Sequence, residues 1–261
     1  MSLAETAEFL QSAGFNVLLY DSRSIGGSGG VPRNQIDPIQ MSQDISDVVS
    51  YAVTLPTVQQ RQILLWGMSL GATVSGVAAA IDSRVAAVLM VCPIFRFVRA
   101  DKRASAFPLL MKDRQSQLRG NEPLTLQPFN SKGENPIGYA GSGGPGGKEA
   151  YFLMREAAVR GHPNFRDRIT LQSYHKMALF RPIELLEEML EGVPTMFMVP
   201  EQDNISPAVE QRAVYDKLST PKRIYMANGK GHMSILTGEG SVQIREAMVE
   251  FFRLALDNMI R

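Results

Sequence analysis

The sequence predicts an α/β fold, a mostly parallel sheet flanked by helices. Short apolar runs that do not alternate recur along the chain, at Phe15–Tyr20, Ile63–Trp66, Val85–Val91 and Thr195–Val199. Such runs mark strands buried on both faces, the signature of parallel sheets. Helical patterns separate them. At one point, Ile63–Trp66 runs through Gly67-Met68-Ser69-Leu70-Gly71 into the small-residue stretch Ala72–Ala80. A strand, G-x-S-x-G and a helix in that order predict a nucleophile elbow.

Each element follows in order. Residues 3–13 read as a helix with Leu3, Ala7 and Leu10 on one face, ended by Gly14. Phe15–Tyr20 reads as a buried parallel strand feeding the glycine-rich turn Asp21–Gly30. That turn has neither a G-K-[ST] ending nor an immediate helix, since Val31-Pro32 follows, so it is not read as a phosphate loop. Ser42–Leu55 forms a helix with Asp44, Asp47 and Ser50 outward and Ile45, Val48, Val49 and Ala52 inward. The strand to Trp66, the elbow, its helix and the strand 85–91 come next. After Pro93 the character changes to Arg/Lys clusters, scattered prolines and a glycine-rich, flexible stretch at Gly138–Gly147. Helical patches at 104–119, 149–160, 171–178 and 182–191 predict a helical cap inserted over 95–191, within a core of 1–94 and 192–261. Such a cap excludes water and shapes a pocket. Strand-helix alternation resumes at 194–199, 208–218, 222–226 and 241–256. The last helix is expected to bury Ile244, Met248, Phe251, Phe252 and Leu256.

Composition excludes several function classes. The chain has 261 residues, 44% of them hydrophobic, enough for a real core. Its 27 basic and 26 acidic residues, net +1, argue against a nucleic-acid or anionic-membrane surface. The single cysteine, Cys92, ends an apolar strand and reads as a small buried hydrophobe. Met1–Glu8 reads as an acidic amphipathic helix with no basic n-region of a secretory signal, and Met259-Ile260-Arg261 does not match the peroxisomal Ser-Lys-Leu type. No 18-residue apolar run offers a membrane span. The expectation is a soluble, cytoplasmic protein.

Ser69 needs a base, and the base an orienting acid. Of three histidines, His232 lies in Asn228–His232, just past the strand-like Arg223–Met226. His162 and His175 lack a strand-end setting and read as structural or surface residues. Asp203 lies in Pro200-Glu201-Gln202-Asp203, just past Thr195–Val199. Both loops therefore fall at the carboxyl edge of the sheet, where the elbow also lies. Asp203 as a mere turn cap before Ser206-Pro207 is the competing reading. Glu201 is a rival acid in the same loop, and Asp216 a weaker one on the next helix.

The run Gly14–Arg23, then Gly-Met-Ser-Leu-Gly, Pro-Glu-Gln-Asp and Gly-His, resembles the α/β-hydrolases, whose triad order Ser, Asp, His this chain repeats. More narrowly it resembles fungal secondary-metabolite hydrolases: polyketide transferases, thiohydrolases and the hydrolases of host-selective toxin clusters. The resemblance implies a serine hydrolase or acyltransferase for a small-molecule acyl ester or carrier-bound thioester, with a polyketide synthase as a partner and no metal or organic cofactor. It also implies Ser69, His232 and Asp203 as the catalytic triad and the Leu70 N–H as an oxyanion donor. One departure stands out. The family supplies about three strands and a His-Gly-type oxyanion loop before the helix with which this chain opens, and one of those strands lies between 15–20 and 62–66. The chain is therefore expected to be N-terminally truncated. A gene model starting at an internal methionine, a weak or dead copy, and a sheet whose flanking strands pair directly are the competing explanations. The rivals in function are a catalytically inactive remnant or binding module, and a serine peptidase of the same fold.

Overall fold

The computed structural model describes residues 3–161 and 164–260. Its elements run α1 (Leu3–Ser12), α2 (Pro38–Ala52), β1 (Ile63–Met68), α3 (Leu70–Ile81), β2 (Val85–Val91), α4 (Arg103–Leu118), β3 (Thr125–Leu126), α5 (Pro145–Val159), β4 (Ile169–Thr170), α6 (Leu171–Leu179), α7 (Pro182–Met189), β5 (Thr195–Pro200), α8 (Ala208–Lys217), β6 (Lys222–Ala227) and α9 (Ser241–Leu256). Contacts divide them into two units.

The first unit comprises Met1–Leu19, Ser42–Phe95 and Pro182–Arg261. It holds a four-stranded parallel sheet in the order β1-β2-β5-β6. The strands are parallel because each is followed by a helix that returns the chain to the starting edge. Alternate residues of β2 feed the two faces. Ala87, Leu89 and Val91 join α1 and α9 in one apolar cluster with Met196, Met198, Ile244, Met248, Phe251 and Phe252. On the other face Met90 reaches Gly76 of α3, where an added Cβ would lie 2.8 Å from its methyl carbon. Both layers of side chains are buried, which is why the sequence of β2 does not alternate. Leu256 is only half-buried, and Ala255 takes the inward place expected of it.

The second unit comprises Tyr20–Met41 and Arg96–Arg181. Its helices α4, α5 and α6 accompany a two-residue antiparallel ladder, β3 with β4. Asn34 stitches the first segment to the second: its side chain donates to the Arg166 and Arg168 carbonyls, and its own carbonyl accepts from Thr170. These bounds differ from the 95–191 of the sequence reading, because 20–41 packs with the insertion while α7 packs on α3 in the first unit. Gly138–Gly147 forms turns and the start of α5, with Gly147 pressed so close to the Gly133 carbonyl that an added Cβ would lie 2.3 Å from it. In the glycine-rich turn, the Asp21 carboxylate accepts from the Gly27 N–H at 2.8 Å.

Several expectations are corrected. Phe15–Tyr20 forms no strand, and Val17, Leu18, Leu19 and Tyr20 are exposed. A parallel strand needs a neighbour in register, and among the described residues β1 pairs only with β2. Nor, therefore, do the strands flanking the expected middle position pair directly. The same open edge leaves Ile63–Trp66 half-buried despite their apolar character. In α1 the buried pair is Thr6 and Leu10, with Leu3 exposed. In α2, which starts at Pro38, Asp44 is buried rather than outward.

Arg84 ties α2 to the end of α3 within the first unit. Its guanidinium donates to Asp82 at the end of α3, at 2.6 and 2.8 Å, and to the Ser46 carbonyl and Ser50 hydroxyl of α2. The Arg84 hydrogen bonds hold the Asp82 carboxyl down to about 2 from 3.8. A depressed carboxyl contributes stability that is complete above its unfolded value and fades as pH falls through the folded one. Acid titration of unfolding free energy between pH 5 and 2 should therefore show a loss of about 1–2 kcal/mol in the native protein that Asp82→Asn lacks. Parallel titration curves for the two would refute this coupling.

Candidate active site

The ends of β1, β5 and β6 carry the site, all within the first unit. Register sets its depth: Met68 pairs with Val91, and the next amide, Ser69 N–H, donates to the Val91 carbonyl at 2.8 Å. The chain then turns directly into α3. Ser69 adopts φ 60°, ψ −123°, a region L residues rarely occupy. The turn closes so tightly that a Cβ on Gly67 would lie 2.2 Å from the Gly71 carbonyl oxygen. Position 67 therefore requires glycine. Gly71 behaves otherwise: a Cβ there would meet nothing within 4 Å. Of the two elbow glycines only Gly67 is crowded, because Gly71 contributes to the approach its carbonyl, which every residue has.

The loops after β5 and β6 are tied by backbone hydrogen bonds, Glu201 N–H to the Ala227 carbonyl and Gln202 N–H to the Lys230 carbonyl. That tie carries Asp203 and His232 together. His232 Nδ1 lies 2.8 Å from Asp203 Oδ2, and Nε2 lies 2.9 Å from Ser69 Oγ. Both His232 and Asp203 are buried, at 2% and 7% exposure. The three residues singled out from separate loops thus form one relay.

Asp203 makes the turn-cap contacts of the competing reading and the contact to the imidazole at the same time. Oδ1 accepts from the Ile205 and Ser206 amides at 2.8 Å, capping the turn, while Oδ2 accepts from Gln211 at 3.1 Å and faces the imidazole. This many hydrogen-bond partners hold the carboxylate in one orientation. Glu201 is exposed and accepts from the Gly229 amide instead. Asp216 is exposed on α8. His175 lies on α6 of the second unit, its pKa lowered by burial and then by the charges of Arg114 and Lys176. His162 falls outside the described residues.

Sequence reasoning missed three contributors. Gln211, fully buried on α8, anchors Asp203 and the Ser206 carbonyl. Ser206 Oγ donates to the Pro93 carbonyl at 2.6 Å, tying the acid loop to the end of β2. Cys92, buried as expected, has its Sγ 3.9 Å from His232 Nε2, with its thiol pushed well up by burial and by the charge of Asp203. The signal for Cys92 was available: it follows the strand that registers beside the elbow. Cys92, Asp203 and His232 group as possible metal ligands. Both imidazole nitrogens, however, are engaged by Asp203 and Ser69, which suits proton transfer rather than ligation. The Leu70 N–H opens α3, where no intrahelical acceptor exists.

A family model described as serine aminopeptidase, S33, matches residues 2–238. The chain is 39% identical over 254 residues to a thiohydrolase of Eupenicillium brefeldianum, covering 97% of this chain and 81% of that protein. It is 33% identical over 257 residues to a polyketide transferase of Aspergillus fumigatus, covering 98% and 85%. Among solved structures, DcsB in complex with its substrate analogue matches with a TM-score of 0.92 at 52% identity, over 97% of this chain and 84% of that one.

The two glycines of the elbow should respond differently to alanine. Gly67→Ala must displace backbone and should cost at least about 2 kcal/mol in urea unfolding. Gly71→Ala enters open space and should cost less than about 1 kcal/mol. Equal losses would contradict the closeness of the Gly67 approach.

Proposed function

The chain belongs to the serine aminopeptidase S33 family of α/β-hydrolases, and from that premise we propose that it is a serine (thio)esterase or acyltransferase of fungal polyketide or toxin secondary metabolism, acting on an acyl ester or a carrier-borne thioester. The observation that carries this reading is the continuous relay from Ser69 Oγ through His232 to Asp203. The names of the relatives, a thiohydrolase and a polyketide transferase, support the acyl substrate class.

In the proposed mechanism Ser69 Oγ attacks the acyl carbonyl while its proton passes to His232 Nε2. Asp203 holds the imidazole in the tautomer that leaves Nε2 free to accept, and stabilises the imidazolium that results. The Leu70 N–H, and with it the dipole of α3, faces the charge developing on the carbonyl oxygen. Collapse of the tetrahedral intermediate expels a thiolate or alkoxide, which takes the proton from Nε2 and leaves an acyl-Ser69 ester. The incoming water or alcohol then gives its proton to Nε2 and attacks that ester. Water releases an acid, an alcohol releases a transferred ester, and Ser69 is restored in both cases. We place the protein in the cytoplasm; among the described residues no helix is long and apolar enough to cross a membrane.

A remnant with no catalytic use has no reason to keep serine in the strained φ of the elbow. That retention favours the enzyme over a binding module. Labelling of the purified chain by a fluorophosphonate probe should disappear in Ser69→Ala; undiminished labelling would remove Ser69 as the nucleophile. Asp203→Asn should keep the fold and lower turnover by a factor on the order of 10³–10⁴ through loss of the productive tautomer. The peptidase reading is separable by substrate. The chain should release thiol from octanoyl-N-acetylcysteamine and leave leucine p-nitroanilide intact, whereas cleavage of the anilide alone would overturn the assignment.

A further inference from the structure

The near-neutral charge of the whole chain hides a division. The unit of Tyr20–Met41 and Arg96–Arg181 contains 17 Lys and Arg against 9 Asp and Glu, net +8. The other unit contains 10 against 17, net −7. Within the basic unit, two helices carry this charge outward. α4 turns Ala106, Leu110 and Asp113 inward. At 100° per residue, Arg103, Phe107, Met111, Arg114 and Leu118 then share another arc, all exposed, with Leu118 at 82%. α5 repeats the arrangement. It buries Gly146, Gly147 and Ala150 and exposes Lys148, Phe152, Arg155 and Val159 along the opposite side, Phe152 at 64% and Val159 at 77%.

The cations of these arcs are not neutralised at home. Asp113, the acid within α4, is buried and accepts from Gln117, Gln172 and the Leu124 amide. Arg99, Arg160 and Lys176 pair with Asp101, Glu156 and Asp37. Arg103, Arg114, Lys148 and Arg155 make no ion pair among the described residues.

We propose that the outward faces of α4 and α5 dock an acidic protein surface, namely the carrier domain that brings the acyl group as a thioester; this rests on the carrier-borne substrate named above. Uncompensated positive charge on one unit steers an acidic partner and fixes its orientation. The exposed Phe107, Leu118, Phe152 and Val159 then supply apolar contact between the ion pairs, the mixture that protein interfaces use. A bilayer is a poorer match. A membrane-surface helix segregates its apolar side chains on one face that sinks into the lipid, whereas each arc here intersperses cations with its apolar groups.

The test uses the full chain with the carrier domain of a fungal polyketide synthase, loaded with an octanoyl thioester on its phosphopantetheine arm and followed by fluorescence anisotropy. Arg103→Glu with Arg114→Glu, and separately Lys148→Glu with Arg155→Glu, should each weaken binding by roughly tenfold or more, and raising salt should weaken the native complex similarly. The same pairs should lower kcat/KM for the octanoyl carrier and leave octanoyl-N-acetylcysteamine turnover and the thermal melt unchanged. Two results overturn the proposal: native-like carrier binding by both pairs, or charge-dependent binding to phosphatidylserine vesicles with none to the carrier. If the native chain fails to cleave the small thioester while carrier binding keeps its dependence on these charges, the catalytic reading falls and the docking face stands.

Discussion

At Gly67 two stretches of backbone approach more closely than any side chain would permit, and the chemistry of the site depends on that approach. It lets β1 turn into α3 without an intervening loop, so Ser69 is held at the strand end with its amide bonded to β2. The serine pays for this position in backbone strain, φ 60°. A longer turn would relax the strain and let the hydroxyl wander, and an aligned Nε2 at 2.9 Å would no longer follow.

The acid is positioned by a different principle. Asp203 answers to a loop before it answers to the histidine: two amides and Gln211 occupy most of its acceptor positions, and the remaining direction points at Nδ1. Burial makes that arrangement stiff, since an unsatisfied carboxylate in this setting would be costly. The turn-cap contacts and the contact to His232 are therefore one geometry viewed from two ends. Ser206, through Pro93, extends the same rigidity to the strand beside the elbow.

Two features of the chain share a cause in unequal distribution. Apolar residues at Val17–Tyr20 and Ile63–Trp66 are patterned for burial, yet the first group is exposed and the second half-buried, because among the described residues β1 has a partner strand on one side only. Charge is likewise balanced in total but divided between the two contact units. In both cases an average over the sequence conceals what a particular surface presents.

Local chemistry determined much by itself. The strands β1, β2, β5 and β6, the elbow and the triad order were legible because strand burial on both faces, G-x-S-x-G spacing and strand-end loops each leave a mark within a few neighbouring residues. The helices α4 to α7 were legible for the same reason. Only the tertiary structure decided whether 15–20 would be a strand, since pairing is a property of the neighbour rather than of the segment. It likewise decided that Asp44 turns inward, that 20–41 packs with the insertion, and that Gln211, Ser206 and Cys92 surround the relay. The Ser206–Pro93 and Cys92–His232 contacts join residues more than a hundred positions apart, a separation that no local periodicity encodes.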